Sequence, residues 1–226
     1  MELRTTKPCI ISAGIGNWYP KGIERLERSL NFHGWAGDLL TWKDIHPPAS
    51  KPHEESPYYF KIAAFEWALY RGYTHILWVD SSFWAIRNPM PLFDLVNVKG
   101  FYTFRSGYNM AETINDHALE ALGLSRDEIE GTPEYASGCV GLNFNNPDAR
   151  HLYGHWKAYM DMGLNVGSRL HANQSQDPRF LFHRQDQSCL SLALFKLRYS
   201  IDEPDYVAYY GGGYDPGKCI FFIEGL

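Results

Sequence analysis

His75-Ile76-Leu77-Trp78-Val79-Asp80-Ser81-Ser82 is the stretch that indicates the fold class of this 226-residue chain. Its four consecutive apolar residues, 76–79, predict a short β-strand covered on both faces, as in the middle of a mostly parallel sheet. Because ligands of open α/β sheets bind beyond the carboxyl ends of the strands, we expect the Asp80 carboxylate to face a binding crevice. There it could hold a divalent cation or ribose hydroxyl groups. A solvated aspartate that begins a turn is the alternative interpretation.

Segments on both sides of this strand alternate between the patterns of strands and helices. Strands are predicted at 8–14, 38–42, 101–104 and 140–144, and helices at 22–32, 58–70, from 147 onward and at 187–197. The alternation predicts an α/β fold with a mostly parallel central sheet flanked by helices. We expect a single domain over residues 1–226, because no linker is evident. Two weakly patterned or polar stretches, 106–137 and 167–179, are predicted to be loops that cover a site.

Composition argues against several classes of protein. The net charge is −5 and the pI is about 6.0, so the chain lacks the basic footprint that a general grip on nucleic acid requires. No stretch approaches the ~20 apolar residues of a membrane span, and the N-terminal residues contain no apolar signal region. The four cysteines lie far apart without a CxxC pair, which argues against a zinc ribbon or a dense disulfide framework. We therefore expect a cytoplasmic protein with free thiols, no membrane span and no nucleic-acid partner.

Four segments, in order along the chain, resemble one enzyme family. Residues 75–83 followed by Asn88-Pro89-Met90-Pro91-Leu92-Phe93 resemble the DxD region of nucleotide-sugar-dependent glycosyltransferases of the GT-A fold, in which a hydrophobic strand ends in Asp-x-Asp and a Pro-Leu-Phe segment follows. Tyr58-Tyr59-Phe60-Lys61-Ile62-Ala63-Ala64 is similar to the family's helix whose early basic residue faces the donor. Ser137-Gly138-Cys139-Val140-Gly141-Leu142-Asn143 is similar to its acceptor-side strand, and His183-Arg184-Gln185-Asp186-Gln187-Ser188 to its His-x-x-Asp-Gln-Ser segment.

The resemblance implies transfer of a sugar from a nucleoside-diphosphate sugar, with a UDP-sugar as the expected donor, to a hydroxyl of a glycan or small-molecule acceptor. It also implies Mn2+ or Mg2+ bound by Asp80 and Ser82, which stand at the positions of the family's two carboxylates. A hydroxyl is a poorer ligand for a hard cation than a carboxylate. Metal binding is therefore expected to be weaker, to use a further ligand such as Asp215, or to be replaced by the positive charges of Lys61 and Lys218.

The same resemblance identifies a donor-binding set. Its members are Ser12, Ala13, Gly14, Trp42, Asp44, Lys61, Asp80, Ser81 and Ser82. The first three begin a loop whose glycines would let the backbone approach a nucleotide, and Trp42 and Asp44 would contact the base and ribose. Trp42 fits a buried core position equally well, and Lys61 fits a solvated helix face.

Catalysis is assigned to Asp80 and Asp186. Sugar transfer passes through an oxocarbenium-like state, and an inverting enzyme needs a carboxylate that takes the proton of the acceptor hydroxyl. Asp186 is the candidate for that role, and in a retaining enzyme it would hold sugar hydroxyl groups instead. The alternative is that Asp186 is only the N-cap of the helix that follows it, a position that suits aspartate.

Two other functions stay open. A non-catalytic carbohydrate-binding protein on the same scaffold is favoured by the missing second carboxylate and by an aromatic content of 15%, since rings can stack on sugars as well as build a core. A sugar nucleotidylyltransferase would need basic residues for a triphosphate in the loop 12–16, which contains no lysine or arginine.

Overall fold

A computed structural model of the protein describes residues 7–167, 175–201, 206–209 and 215–225. In chain order the elements are β1 (Cys9–Gly14), α1 (Tyr19–Phe32), β2 (Asp38–Lys43), α2 (Phe60–Tyr70), β3 (His75–Val79), β4 (Phe83–Ala85), α3 (Met90–Lys99), β5 (Phe101–Asn109), α4 (Met110–Thr113), α5 (Asp116–Leu122), a 3₁₀ turn (Asp127–Ile129), β6 (Pro133–Asn143), α6 (Pro147–Asp161), α7 (Asp186–Leu197), β7 (Val207–Tyr209) and β8 (Phe221–Ile223).

The central sheet has the strand order β2-β1-β3-β6-β5. β1 pairs in parallel with β2 and with β3, whereas β6 pairs antiparallel with both β3 and β5. Four of these five strands therefore run in one direction and β6 runs against them, so the sheet is mixed. The predicted α/β class, with a mostly parallel sheet flanked by helices, is confirmed, and the reversed β6 is a feature that the sequence patterns did not indicate.

The two faces of the sheet carry separate parts of the hydrophobic core. Ile76 and Trp78 pack on the face covered by α2, α6 and α7, whereas Leu77 and Val79 pack on the face covered by α1 and α3. All four side chains are buried, which confirms the prediction that this strand is covered on both sides. Successive side chains of a strand point to opposite faces, so an uninterrupted apolar run is what a strand between two helical layers requires.

A small second sheet, in the order β4-β8-β7, follows directly on the end of β3 and was not predicted. Each of its strands has three residues, which is too short to show a period-two pattern in the sequence. The sheet fixes the backbone at Ser82, whose carbonyl oxygen accepts hydrogen bonds from Glu224 N at 3.0 Å and from Arg25 Nη2 at 3.0 Å. It therefore anchors the turn immediately after Asp80.

The prediction of a covering loop over 106–137 is wrong. This stretch contains the end of β5, the short helices α4 and α5, the 3₁₀ turn and the beginning of β6. The starts of its helices are marked by local hydrogen bonds: Asn109 N donates to Glu112 Oε2 at 2.8 Å at the start of α4, and Asn115 caps α5 through Ala118 N. The elements are too short for helical periodicity to reveal them, although the capping residues were present in the sequence. Of the second predicted loop, residues 168–174 lie outside the described residues.

Within the described segments, no helix combines the length and the apolar character that crossing a bilayer would require. All four cysteines are buried free thiols, as expected from their spacing.

Candidate active site

Asp80 follows β3 directly and is held there by its neighbours. Its backbone N–H donates to Gly138 O of the adjacent strand at 2.8 Å, and Trp78 Nε1 donates to its Oδ1 at 2.6 Å. One third of the side chain, 34%, is exposed. The burial of residues 76–79 thus positions a carboxylate at the carboxyl edge of the sheet with one side open, as the sequence predicted.

Lys61, in the first turn of α2, lies between Asp80 and Asp186. Its Nζ is 3.1 Å from Asp80 Oδ1 and 2.9 Å from Asp186 Oδ2, and only 2% of its side chain is exposed. The same Nζ donates to Ser137 O at 3.1 Å and to Ser137 Oγ at 3.2 Å. The ammonium, which has three N–H donors, is therefore surrounded by four oxygens, two in ion pairs and two in hydrogen bonds. The buried charge is therefore compensated, as a buried cation must be.

Charge and burial act in opposite directions on these groups. Burial alone lowers the pKa of Lys61, but the nearby carboxylates of Asp186 and Asp80 outweigh burial and raise that pKa above its usual value. Lys61 is therefore protonated at neutral pH. Burial raises the pKa of Asp80, the Lys61 ammonium opposes this increase, and the charge of Asp186 adds to it.

Asp186 is the first residue of α7 and does not cap it. The N-cap position is occupied by Gln185, whose side chain forms no capping hydrogen bond. The Asp186 carboxylate, which is nearly fully buried, forms the ion pair with Lys61 instead. Its backbone oxygen accepts a hydrogen bond from Trp156 Nε1 at 3.0 Å. The alternative interpretation of Asp186 as a simple N-cap is therefore wrong.

A buried polar network that the sequence did not reveal supports Ser137. Gln187 Oε1 accepts from Ser137 N at 3.2 Å, and Gln187 Nε2 donates to Glu134 Oε2 at 2.7 Å. Ser106 Oγ donates to the same Glu134 oxygen at 2.5 Å. Burial raises the pKa of Glu134, and hydrogen bonds to its carboxylate oppose this increase. Lys61 is thus connected through Ser137 and Gln187 to a second buried acid, a link between residues distant in sequence that no local motif encodes.

Asp80 and Tyr58 line two adjacent cavities. The smaller cavity, of about 330 Å³, is also lined by Lys61, Arg184 and Asp186. The larger, of about 870 Å³, is formed by the loop after β1, the segment 46–54 and the turn 80–82; we call it the large cleft. Asp80 therefore stands at the boundary between the small cavity and the large cleft.

Aromatic and basic side chains line the large cleft. They are Trp18, Tyr19, His46, Lys51, His53, Tyr58 and Phe60. The rings of Trp18 and Tyr19 stack with centroids 4.5 Å apart, and the ring of His53 meets that of Tyr58 edge-on at 5.1 Å. The predicted site residues that line these cavities are Ala13, Lys61, Asp80, Ser81, Ser82 and Asp186. None of the aromatic or histidine side chains of the large cleft was among the predicted residues. The density of aromatic residues and histidines around 18–19 and 46–60 was the only signal that could have identified this wall.

Several of the predicted donor-binding residues do line the large cleft. Ala13, Asp80, Ser81 and Ser82 are in its wall, whereas Lys61 faces the small cavity. The other four members of the set have different surroundings.

Ser12 is buried and its Oγ donates to Val79 O at 2.5 Å, so it joins β1 to β3. Gly14 allows the close approach of α1, since a Cβ at this position would lie 2.4 Å from Tyr19 O. Trp42 is buried within the core, which agrees with the alternative interpretation of this residue. Asp44 Oδ1 accepts from Gly16 N at 3.1 Å and so holds the loop after β1. These residues shape the cleft without lining it.

The described side chains do not form a divalent-cation site at the predicted position. Asp80 Oδ1 is engaged by Trp78 and Lys61, and Ser82 supplies a hydroxyl. The described residues contain no group of three or more His, Cys, Asp or Glu side chains that could hold a metal ion. The two proposed substitutes, Asp215 and Lys218, are exposed and pair with each other at 3.6 Å. Mn2+ or Mg2+ thus lacks a matching donor set in this part of the chain.

Comparison with known proteins gives little beyond this geometry. No protein-family model matches the sequence, and no curated protein matches it. Among solved structures, the chain is similar to one described as the crystal structure of a glycosyltransferase involved in the glycosylation of the major capsid of PBCV-1. The two share 12% sequence identity, the match covers 96% of this chain and 93% of that one, and the TM-score is 0.49.

Proposed function

We propose that this protein is a glycosyltransferase that moves a sugar from a nucleoside-diphosphate sugar to an acceptor hydroxyl. The observation that carries the proposal is the position of Asp80 at the boundary of two cavities, with Asp186 held beside it through Lys61. A transferase needs two substrates to meet at one point. The large cleft would hold the donor and the small cavity the acceptor, so that both reach Asp80.

The chemistry of the large cleft supports a nucleotide-sugar donor. It lies beyond the carboxyl ends of β1 and β3, which is where open α/β sheets bind ligands. Its volume of about 870 Å³ lies within the range of ~300–1,000 Å³ that is usual for ligand pockets. The stacked rings of Trp18 and Tyr19 offer flat apolar faces for a base or sugar, and Lys51, His46 and His53 offer hydrogen bonds and positive charge for a diphosphate. A UDP-sugar is the first donor to test.

The reaction assigns one task to each acid. The bond from the anomeric carbon to the diphosphate oxygen breaks, and the nucleoside diphosphate leaves with that electron pair. The Asp80 carboxylate stabilises the positive charge that develops on the sugar ring. The acceptor oxygen forms the new bond to the anomeric carbon and loses its proton to Asp186, which acts as general base. Lys61 holds the two carboxylates in their relative positions throughout.

A carbohydrate-binding protein without catalysis is the second candidate. The aromatic wall of the large cleft and the serine at position 82 favour it. The two candidates differ in their response to nucleotide alone: an isothermal titration with UDP produces heat if the cleft binds a nucleotide-sugar donor. A protein that binds only glycans gives no such heat.

The function is tested by a thermal-shift screen of UDP-, GDP-, TDP- and ADP-sugars, because a ligand that binds only the native state raises the apparent melting temperature. Donors that raise it are then incubated with the protein, and released nucleoside diphosphate is quantified by chromatography with and without added sugar acceptors. We expect slow hydrolysis of one donor class that accelerates with a suitable acceptor. Absence of both binding and hydrolysis across the four donor classes would contradict the proposal.

A further inference from the structure

Two carboxylates of the site share a single buried cation, and that cation belongs to the chain. Lys61 Nζ lies 3.1 Å from Asp80 Oδ1 and 2.9 Å from Asp186 Oδ2. Two acidic side chains that converge on one point are the usual arrangement around a bound divalent ion. Here the point between them is occupied by an ammonium group.

The surroundings of Lys61 are those of an ammonium pocket. Its Nζ lies 5.4 Å from the centroid of the Tyr58 ring and 5.5 Å from that of the Trp78 ring. Aromatic faces at this distance attract organic cations, whereas Mg²⁺ and Mn²⁺ require oxygen ligands. Two further contacts of the ammonium come from Ser137. The pocket is therefore built for the side chain that fills it.

The Lys61 ammonium and a divalent ion cannot occupy this site together, because both are positively charged. A divalent ion bound to Asp80 would lie next to the buried positive charge of Lys61 and would be repelled by it in a region of low effective dielectric. Asp80 has one oxygen already bonded to Lys61 and Trp78, and Ser82 contributes no charge to offset the repulsion. Removing the ammonium would reverse this balance, because it leaves the partly exposed Asp80 carboxylate and the buried Asp186 carboxylate without a counter-ion.

We propose that Lys61 is the resident cation of this site: Asp80 and Asp186 bind no divalent ion while it is present, and its removal converts the pair into a divalent-cation site. For sugar transfer the proposal implies a reaction that does not depend on metal, and that part rests on the proposed function. The statement about metal binding by the protein alone does not rest on the proposed function. The metal-binding proposal and the proposed function can therefore fail separately.

The experiment titrates Mn2+ alone into the protein and follows the electron paramagnetic resonance signal of the free aqueous ion. With wild type we expect the free signal to rise as in buffer. With Lys61→Ala we expect about one equivalent of the ion to be withdrawn from the signal, with an affinity at least roughly tenfold above wild type. Circular dichroism and thermal unfolding establish that each variant is folded.

Three matched variants separate the pocket from general effects of charge. Lys61→Arg keeps the positive charge and is expected to bind no Mn2+. Lys43→Ala removes a lysine outside both cavities, one that pairs with Glu27 at 2.7 Å, and is expected to bind no Mn2+. The double variant Lys61→Ala/Asp186→Asn keeps one carboxylate and is expected to lose the gain.

Binding of Mn2+ by the wild-type protein would overturn the proposal, and this measurement does not depend on the folding of any variant. A folded Lys61→Ala protein that binds no Mn2+ would also overturn it. A third measurement compares the affinity of wild type for UDP in EDTA and in Mn2+. Equal affinities support the proposal, and a strengthening by Mn2+ of about tenfold or more, equivalent to ~1.4 kcal/mol, would overturn it.

Discussion

Gly138 lies directly against the Asp80 carboxylate: a Cβ built on Gly138 would be 3.2 Å from Asp80 Oδ2 and 2.9 Å from the Phe83 ring. β6 therefore passes the end of β3 so closely that no side chain fits between them. A methyl group at position 138 would press on the Phe83 ring and move the Asp80 carboxylate by a few tenths of an ångström.

We expect Gly138→Ala to lower the rate of sugar transfer by more than its loss of free energy of unfolding alone would explain. Overpacking of this kind costs about 1–3 kcal/mol, which chemical denaturation measures. The matched control is Gly141→Ala on the same strand, where a Cβ would lie 2.5 Å from Val96 Cγ2 and away from the site. If the folded Gly138→Ala protein transferred sugar as fast as the Gly141→Ala protein, the close approach of Gly138 to Asp80 would have no effect on activity.

Asp186→Asn tests the general base. The amide keeps the size of the side chain but cannot accept the acceptor's proton, so we expect kcat to fall by about 10²–10⁴-fold while nucleotide affinity stays within roughly threefold, since that side chain faces the small cavity. Steady-state kinetics and calorimetric titration with the donor nucleotide measure the two effects. Asp116→Asn, which alters a partly exposed aspartate paired with Arg126, serves as control. An unchanged kcat in Asp186→Asn would remove the proton-accepting role.

Stability is expected to fall as the pH decreases, in part through His183. This histidine is buried, its Nδ1 accepts from Asn115 N at 3.3 Å, and its Nε2 donates to Leu164 O at 2.9 Å. Burial lowers its pKa from 6.5 to about 4. Below about pH 6.5 the unfolded chain therefore binds a proton at His183 that the folded protein does not bind. This difference lowers the free energy of unfolding by about 3 kcal/mol by pH 4.

Urea unfolding between pH 7.5 and 4.5 measures this dependence. The free energy of unfolding of wild type is expected to decrease through this range more steeply than that of His183→Gln, which starts lower because it loses one hydrogen bond. His151→Gln, at an exposed position of α6, should keep the wild-type slope. Parallel curves for wild type and His183→Gln would show that His183 contributes nothing to the acid dependence.

Gln185→Gly is expected to stabilise the protein. Gln185 has φ 56° and ψ −118°, a conformation that glycine adopts readily and that other residues occupy at a cost of about 1–3 kcal/mol. Removing that strain should raise the melting temperature. The side chain lines the small cavity, so donor hydrolysis without acceptor should change less than transfer. A lower melting temperature would mean that contacts of the glutamine outweigh the strain.

The sequence predicted the parts of this molecule that rest on local patterns. The apolar run 76–79 fits a strand that is covered by helices on both faces of an α/β sheet, and this places Asp80 at the carboxyl end of that strand. The resemblance to glycosyltransferases pointed to Lys61 and Asp186. The ion pairs that join these three residues were not predicted, because their positions are separated by 19 and 106 residues and no periodicity links them.

Other parts of the site escaped prediction for related reasons. Glu134 and Gln187 meet only because β6 runs antiparallel to its neighbours and brings its early residues against α7. Trp18 and Tyr19 line the large cleft from the start of α1, and their orientation depends on how the chain enters that helix, which composition does not specify. Ser12 was assigned to the donor although its hydroxyl bonds to β3, since a small polar residue near the end of a strand looks the same in either role.

The turn at Ser82 closes against residues from the far end of the described chain, and this has a consequence for the order of folding. Arg25 Nη2 donates to Glu224 O at 2.5 Å across 199 positions, and Phe83 pairs with Ile223. Bringing such distant segments together costs more chain entropy than pairing near neighbours. The central sheet is therefore expected to assemble before these distant contacts form, giving a species with a native central sheet but an incomplete large cleft. Recovery of ligand binding during refolding should then lag behind recovery of secondary structure.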